Sequence, residues 1–321
     1  MSINHHKMSK TAPHQSNQSS YRVPGLKTAS TKTLSIAYYE HGPADGWPVV
    51  LSHGFPYDIH AFDEAAQMLA QHNARVIVPY TRGFGPTSFL SPDNRRSGQQ
   101  AARGKDIIEL CEALELYKPI LGGFDWGGNA SCVAAALWPE QIGGLVSYAG
   151  YDIIDVTRQL HSFTPALERI CWYQHLFQSE RGRECLTKDR RDFCRILWRE
   201  WSPGWSFEEE TFLRSAASFD NEDFIDVVIH AYRCMLGHDK GDPALQDLED
   251  RLAEKPLITV PAVTLDGTAD PLKPGGTKDH APFFAGKHDH RTVNTGHNLP
   301  QEAPGVFADA ILTVHAWLTS S

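Results

Sequence analysis

One stretch constrains this chain more than any other: Gly122-Gly123-Phe124-Asp125-Trp126-Gly127-Gly128. It follows the apolar run Pro119-Ile120-Leu121 and precedes a small-residue helical pattern over 129–137, which predicts a sharp turn from a buried strand into a helix. Glycines on either side let strand and helix approach closely, and the residue between them is lifted out of the sheet in a strained conformation. Elbows of this kind commonly raise a serine. Here the raised residue is Asp125.

A carboxylate performs different chemistry from a hydroxyl. Attack on an acyl carbon would give a reactive anhydride, whereas attack on an sp3 carbon bearing a leaving oxygen or halogen gives an ordinary alkyl ester. Epoxides and alkyl halides therefore suit Asp125. An aspartate in a Gly-rich turn also serves as a plain helix N-cap, so the functional reading depends on partners elsewhere in the chain.

Those partners occur in order. An alkyl ester must be hydrolysed, which needs a base working near neutral pH, and histidine fits with its ordinary pKa of about 6.5. The candidate is His297 in Thr295-Gly296-His297-Asn298-Leu299-Pro300. Asp270, in Gly267-Thr268-Ala269-Asp270-Pro271, lies just past the preceding strand and suits the carboxylate that fixes the tautomer of a catalytic imidazole; Asp152 is the reserve. Water attacking the ester carbonyl creates an oxyanion, which backbone N–H groups stabilise by about 2.7 to 4 kcal/mol per donor. The expected donors are the amides of Trp126 and of Phe55, in His53-Gly54-Phe55-Pro56, since Pro56 has no N–H.

Strand and helix patterns alternate around these residues. The stretch 31–40 reads as an antiparallel strand at a sheet edge, and short apolar strands follow at 48–51, 75–78, before Asp125, at 145–148, 258–265 and 291–293. Helical patterns occupy 61–72, 99–116, the segment after Asp125, and 303–318. This alternation predicts an α/β fold with a parallel sheet between helices. Over 151–256 the pattern changes to helices alone, dense in aromatic residues, which reads as a cap over the strand ends. The expected division is a polar, disordered tail at 1–20, a core from 21–150 and 257–321, and a cap at 151–256.

A chain of 321 residues, 41% hydrophobic, can bury one large core and still carry such an insertion. Net charge of −9 with dispersed basic residues argues against nucleic acid as a partner. No run approaches the roughly 18 to 20 apolar residues of a membrane span, and the first twenty residues lack a secretory h-region. The six cysteines show no C-x-x-C spacing, so they read as reduced thiols of a cytoplasmic protein. The sixteen histidines form no metal-binding H-x-x-x-H pattern with a nearby acid. The expected partner is a small-molecule substrate, with no metal, cofactor or membrane.

Four signatures resemble those of the epoxide hydrolase branch of the α/β-hydrolase superfamily: His53-Gly54-Phe55-Pro56, Arg82-Gly83-Phe84-Gly85, Gly123-Phe124-Asp125-Trp126-Gly127-Gly128, and Gly296-His297 through Gln301-Glu302-Ala303-Pro304. Together they span about 31–318. The resemblance implies a mostly parallel eight-stranded sheet with helices on both faces and an inserted all-helical cap. Within that cap, Trp172-Tyr173-Gln174-His175-Leu176-Phe177-Gln178 and Ala231-Tyr232-Arg233-Cys234-Met235 resemble the segments that carry two ring-opening tyrosines. It follows that Tyr173 and Tyr232 would protonate the oxygen of an opening epoxide, with His53, Pro56, Trp172 and Gln174 lining the pocket of an apolar or aryl substrate. Two positions depart from the family pattern: Phe124 stands where a histidine is common before the nucleophile, and Tyr80-Thr81 where an aspartate is common before the Arg-Gly-x-Gly loop. The alternatives are a haloalkane dehalogenase sharing the same nucleophile, and a non-catalytic ligand-binding protein of the same fold.

Overall fold

The computed structural model describes residues 25–155 and 162–320. The polar tail expected at 1–20 lies outside the described residues. Strands β1 (Lys27–Ser30), β2 (Leu34–His41) and β3 (Trp47–Ser52) open the chain. Then come α1 (Asp63–Gln71), β4 (Ala74–Pro79), β5 (Ser88–Phe89), α2 (Gln100–Ala113), β6 (Ile120–Gly123), α3 (Trp126–Leu137) and β7 (Gly144–Tyr148). Among the described residues six α-helices follow without an intervening strand: α4 (Pro165–Ile170), α5 (Trp172–Leu176), α6 (Glu180–Trp201), α7 (Glu209–Ala216), α8 (Phe224–Met235) and α9 (Gln246–Ala253). The sheet resumes with β8 (Ala262–Gly267) and β9 (His288–Val293), and α10 (Leu299–Glu302) and α11 (Pro304–Thr319) close the chain.

The sheet has nine strands in the order β1-β2-β4-β3-β6-β7-β8-β9, with β5 paired to β2. The resemblance implied eight strands and the sequence pattern marked seven; the two it left unmarked are β1 and β5, four and two residues long, too short to show a clear period of two. Strand β2 also sits one place inside the edge, because β1 pairs with it antiparallel. From β4 through β9 every pairing is parallel, as buried strands joined by helical crossovers require.

Alternation along the strands divides the core into two faces. Val49, Leu51, Val76, Val78 and Val146 point to the side covered by α1 and α11, while Val50, Ile77, Leu121 and Leu145 point to the side covered by α2 and α3. The first face does not end at the sheet. Its apolar cluster continues through Phe55 into Trp198, Trp201, Phe212 and Phe224 of the six-helix segment. None of the helices among the described residues is long and apolar enough to cross a membrane.

Candidate active site

Parallel pairing puts the C-terminal ends of β3, β6, β7 and β8 on one rim of the sheet, where crossovers leave a crevice. The register Ser52↔Gly123 brings the loop after β3 beside the turn after β6. Asp125 occupies that turn with φ 51° and ψ −131°, a left-handed conformation that costs an L-residue of order 1–3 kcal/mol and persists only where its surroundings enforce it. The surroundings are backbone: a Cβ on Gly127 would collide with the Ser52 carbonyl, and one on Gly54 with Asp125 Oδ1 and Trp126 N. Glycine at both positions is thus what allows the two turns to meet.

The two expected amides converge on one atom. Phe55 N–H donates to Asp125 Oδ1 at 2.8 Å and Trp126 N–H donates to the same oxygen at 2.7 Å. Oδ1 is held in the cradle, and Oδ2 is the carboxylate oxygen free to turn outward. Oδ2 lies 3.3 Å from His297 Nε2.

His297 sits in the loop between β9 and α10, and this loop is anchored on three sides. Its own N–H donates to the Trp201 carbonyl at 2.9 Å, Gly296 N–H to Glu302 Oε2 at 2.8 Å, and Asn298 N–H to Ser202 Oγ at 3.1 Å. The imidazole Nδ1 is 2.8 Å from Asp270 Oδ2. Asp270 also accepts from the Tyr148 hydroxyl at 2.9 Å and from Leu272 N–H at 2.8 Å. Burial disfavours the imidazolium, but the Asp270 charge and the hydrogen bonds to Asp125 and Asp270 outweigh it and push His297 up to about 10. Asp270 moves the other way: burial raises its carboxyl, and the stronger effects of His297 and its other hydrogen-bond donors hold it below the ordinary range. Asp152, the reserve acid, is instead paired with Lys273 at 3.0 Å.

Facing this cradle are rings from the helical segment. Tyr173 on α5 and Tyr232 on α8 meet edge to face with centroids 5.2 Å apart, and both pack on Phe55; Tyr232 also packs on Trp126, 5.7 Å away. Burial raises both phenols well above the usual tyrosine range, and the negative charge of Asp125 adds to the rise in each. The carboxylate remains the accessible group: Asp125 keeps 13% of its side-chain surface, against 4% for His297 and 0% for Asp270.

The four residues expected to line a pocket are placed differently from one another. Gln174 reaches the site, donating from Nε2 to the Tyr173 hydroxyl at 3.1 Å. His53 is fully buried below it, with both ring nitrogens engaged by backbone: Nε2 accepts from Thr81 N–H at 3.1 Å and Nδ1 lies 3.1 Å from the Gly54 carbonyl. Burial drives its pKa down to about 4, so the ring is neutral and braces the loop. Pro56 is buried with its carbonyl accepting from Trp198 Nε1 at 2.7 Å. Trp172 stands behind Tyr173 and turns its indole N–H to Glu200, 3.0 Å away. The two departures from the family pattern also have local explanations. Phe124 fills a fully buried space between Tyr57 and Phe62, and Thr81 supplies the amide that His53 accepts from.

Three contributors carried no signal in the motifs. Tyr148 ends β7, and only its place at a strand terminus hints at a role in holding Asp270. Trp201 closes α6 against the His297 ring at 5.3 Å. Tyr57 lies 6.2 Å from the same ring, fully buried.

The chain is similar to several known proteins. A family profile described as alpha/beta hydrolase fold matches residues 48–184. Epoxide hydrolase 2 of Caenorhabditis elegans is 24% identical over 206 residues, 62% of this chain and 53% of that protein. A haloalkane dehalogenase of Mycolicibacterium paratuberculosis is 31% identical over 121 residues, 38% of this chain and 40% of that protein. The chain spans about half the length of the curated relatives it matches first. A solved structure from Klebsiella pneumoniae, provisionally named an epoxide hydrolase, is 39% identical and superposes with a TM-score of 0.88, covering 90% of this chain and 96% of that one.

Proposed function

This chain belongs to the α/β-hydrolase fold family, and on that premise we propose that it adds water to an apolar or aryl epoxide, giving a vicinal diol through an ester on Asp125. The observation that carries the reading is the pair of buried phenols over the residues whose amides hold Asp125 Oδ1: Tyr173 and Tyr232 both pack on Phe55, and Tyr232 also on Trp126.

In the first step Oδ2 attacks a ring carbon, the C–O bond breaks, and a phenol delivers its proton to the departing oxygen. General-acid help of this kind is worth roughly 10²- to 10⁴-fold. Oδ1 stays in the two-amide cradle and becomes the ester carbonyl. Esterification removes the charge on Asp125 and its hydrogen bond to Nε2, two of the supports that keep His297 protonated. The imidazolium is then freed to release its proton, which restores the phenol, and the neutral ring takes a proton from water. The resulting hydroxide attacks the Asp125 ester carbon, and the charge that develops on Oδ1 is stabilised by Phe55 and Trp126 N–H; collapse then breaks the Cγ–Oδ2 bond, the diol leaves with Oδ2 and a proton from His297, and the proton left on the Asp125 carboxyl recharges the imidazole.

A second reading has its own observation. The Trp201 indole N–H is buried with no acceptor among the described residues, and its ring touches Tyr173 and Phe55. Such a donor would suit a halide leaving from an alkyl halide attacked by the same carboxylate. One experiment separates the two: single turnover of an aryl epoxide and of an alkyl bromide in ¹⁸O-water, followed by peptide mass spectrometry and bromide assay. The expected result is diol formation with one heavy oxygen in the Asp125 peptide and no bromide release. Diol carrying the label while Asp125 stays unlabelled would remove the covalent route.

A further inference from the structure

The two phenols are not equivalent, and the difference lies in the residue next to one of them. Gln174 Nε2 donates to the Tyr173 hydroxyl at 3.1 Å, and no amide donor to the Tyr232 hydroxyl occurs among the described residues. Gln174 is itself fixed: its backbone carbonyl accepts from Gln178 Nε2 at 2.7 Å, and the same amide donates to the Tyr232 carbonyl at 3.2 Å, tying α5 to α8. An oxygen that already accepts an N–H can turn its own O–H only away from that donor. The Tyr173 proton is thereby directed off Gln174.

We infer that Gln174 makes Tyr173 the proton donor of the pair, with Tyr232 in support, an assignment that rests on the epoxide reading above. When the ring opens, the Tyr173 O–H proton passes to the ring oxygen and Tyr173 is left as phenolate. The Gln174 N–H and the Tyr232 O–H then both point at that phenolate. A donor to a charged oxygen stabilises it more than a donor to a neutral one, so Gln174 acts mainly where charge develops. The proton returns from His297 imidazolium during ester hydrolysis, so epoxide and water leave as diol with no net change.

The electrostatics point the same way. Burial raises both phenols, but the contact with Gln174 lowers Tyr173, and the contact between the two hydroxyls lowers Tyr173 while raising Tyr232. That opposition is expected when Tyr232 is the donor and Tyr173 the acceptor. Gln174 is a positioning residue: it acts through the Tyr173 hydroxyl to which it donates.

The test reads phenol acidity without needing turnover. Difluorotyrosine, whose phenol ionises at lower pH, is placed at 173 or at 232, and phenolate absorbance is followed against pH. Position 173 should ionise first. Gln174→Met should raise the value at 173 by about one unit, the size of one hydrogen bond to a charged group, and leave 232 nearly unmoved. A fall at 173 in that variant would show that Gln174 accepts from the Tyr173 hydroxyl, and would overturn the inference. Ionisation of 232 before 173 would overturn it as well. In parallel, Gln174→Met should slow ester formation from an epoxide about tenfold with little change in KM. That loss should persist in Tyr232→Phe and vanish in Tyr173→Phe, a pattern that loosened packing would not produce. A wild-type chain that converts no epoxide while keeping the titration order would refute the proposed reaction and leave the hydrogen-bond assignment standing.

Discussion

The two walls of the site are built on different principles. On the sheet side, Asp125 is placed by backbone: glycines where a Cβ would collide, two amides on one oxygen, and a histidine loop anchored at three points. On the helical side, Tyr173 and Tyr232 are placed by side chains: their rings pack edge to face, and the Gln174 amide donates to the Tyr173 hydroxyl. A hydrogen-bonded backbone has one low-energy arrangement, whereas packed rings tolerate small shifts at modest cost. The first wall should therefore fail abruptly on substitution and the second by degrees.

Asp125→Ala is the largest test, because it removes the proposed nucleophile. Turnover should fall by roughly 10⁴-fold or more, with no adduct detectable by intact-protein mass spectrometry. Next comes Asp270→Asn, expected to cost about 10³- to 10⁴-fold through the wrong imidazole tautomer. Asp152→Asn should cost about threefold at most, the size expected of a half-exposed ion pair. Equal losses in these two variants would mean that the carboxylate serving His297 is misassigned.

Tyr173→Phe with Tyr232→Phe tests the ring-packed wall, with an expected loss of about 10²- to 10⁴-fold in ester formation and an unchanged melting temperature. Gly54→Ala tests the backbone wall. It should lower stability by about 1 to 3 kcal/mol in urea melts, since Asp125 and Trp126 must shift to admit the methyl group. The smallest effect concerns pH. The folded-state value of His297, about 10, lies above its ordinary 6.5, so its ion pairs stabilise fully below about pH 6.5. That stabilisation is lost as pH rises toward 10. Melting temperature should decline over this window in the wild type and decline less in His297→Gln.

The same contrast decides what could be read from the amino acids alone. Asp125, His297 and Asp270 were legible because each sits in a turn at the end of a strand, where glycine and proline mark the chain's path. The short apolar runs at 48–51 and 75–78 likewise marked two strands of the sheet, β3 and β4. Strand β5 was not legible, since two residues carry no period. Nor was the bracing role of His53, because Gly54 and Thr81 hold its ring through backbone groups that every residue possesses. Tyr148 and Trp201 depend on strand register and helix packing against residues 122 and 96 positions away, which local patterns do not encode.

The enclosure around Asp125 has a chemical consequence. Its carboxylate keeps a small open patch while Phe55, Tyr173, Tyr232 and His297 around it are almost wholly covered. The ester proposed to form there would be sheltered from bulk solvent, so its lifetime would be governed by a single water delivered beside the imidazole.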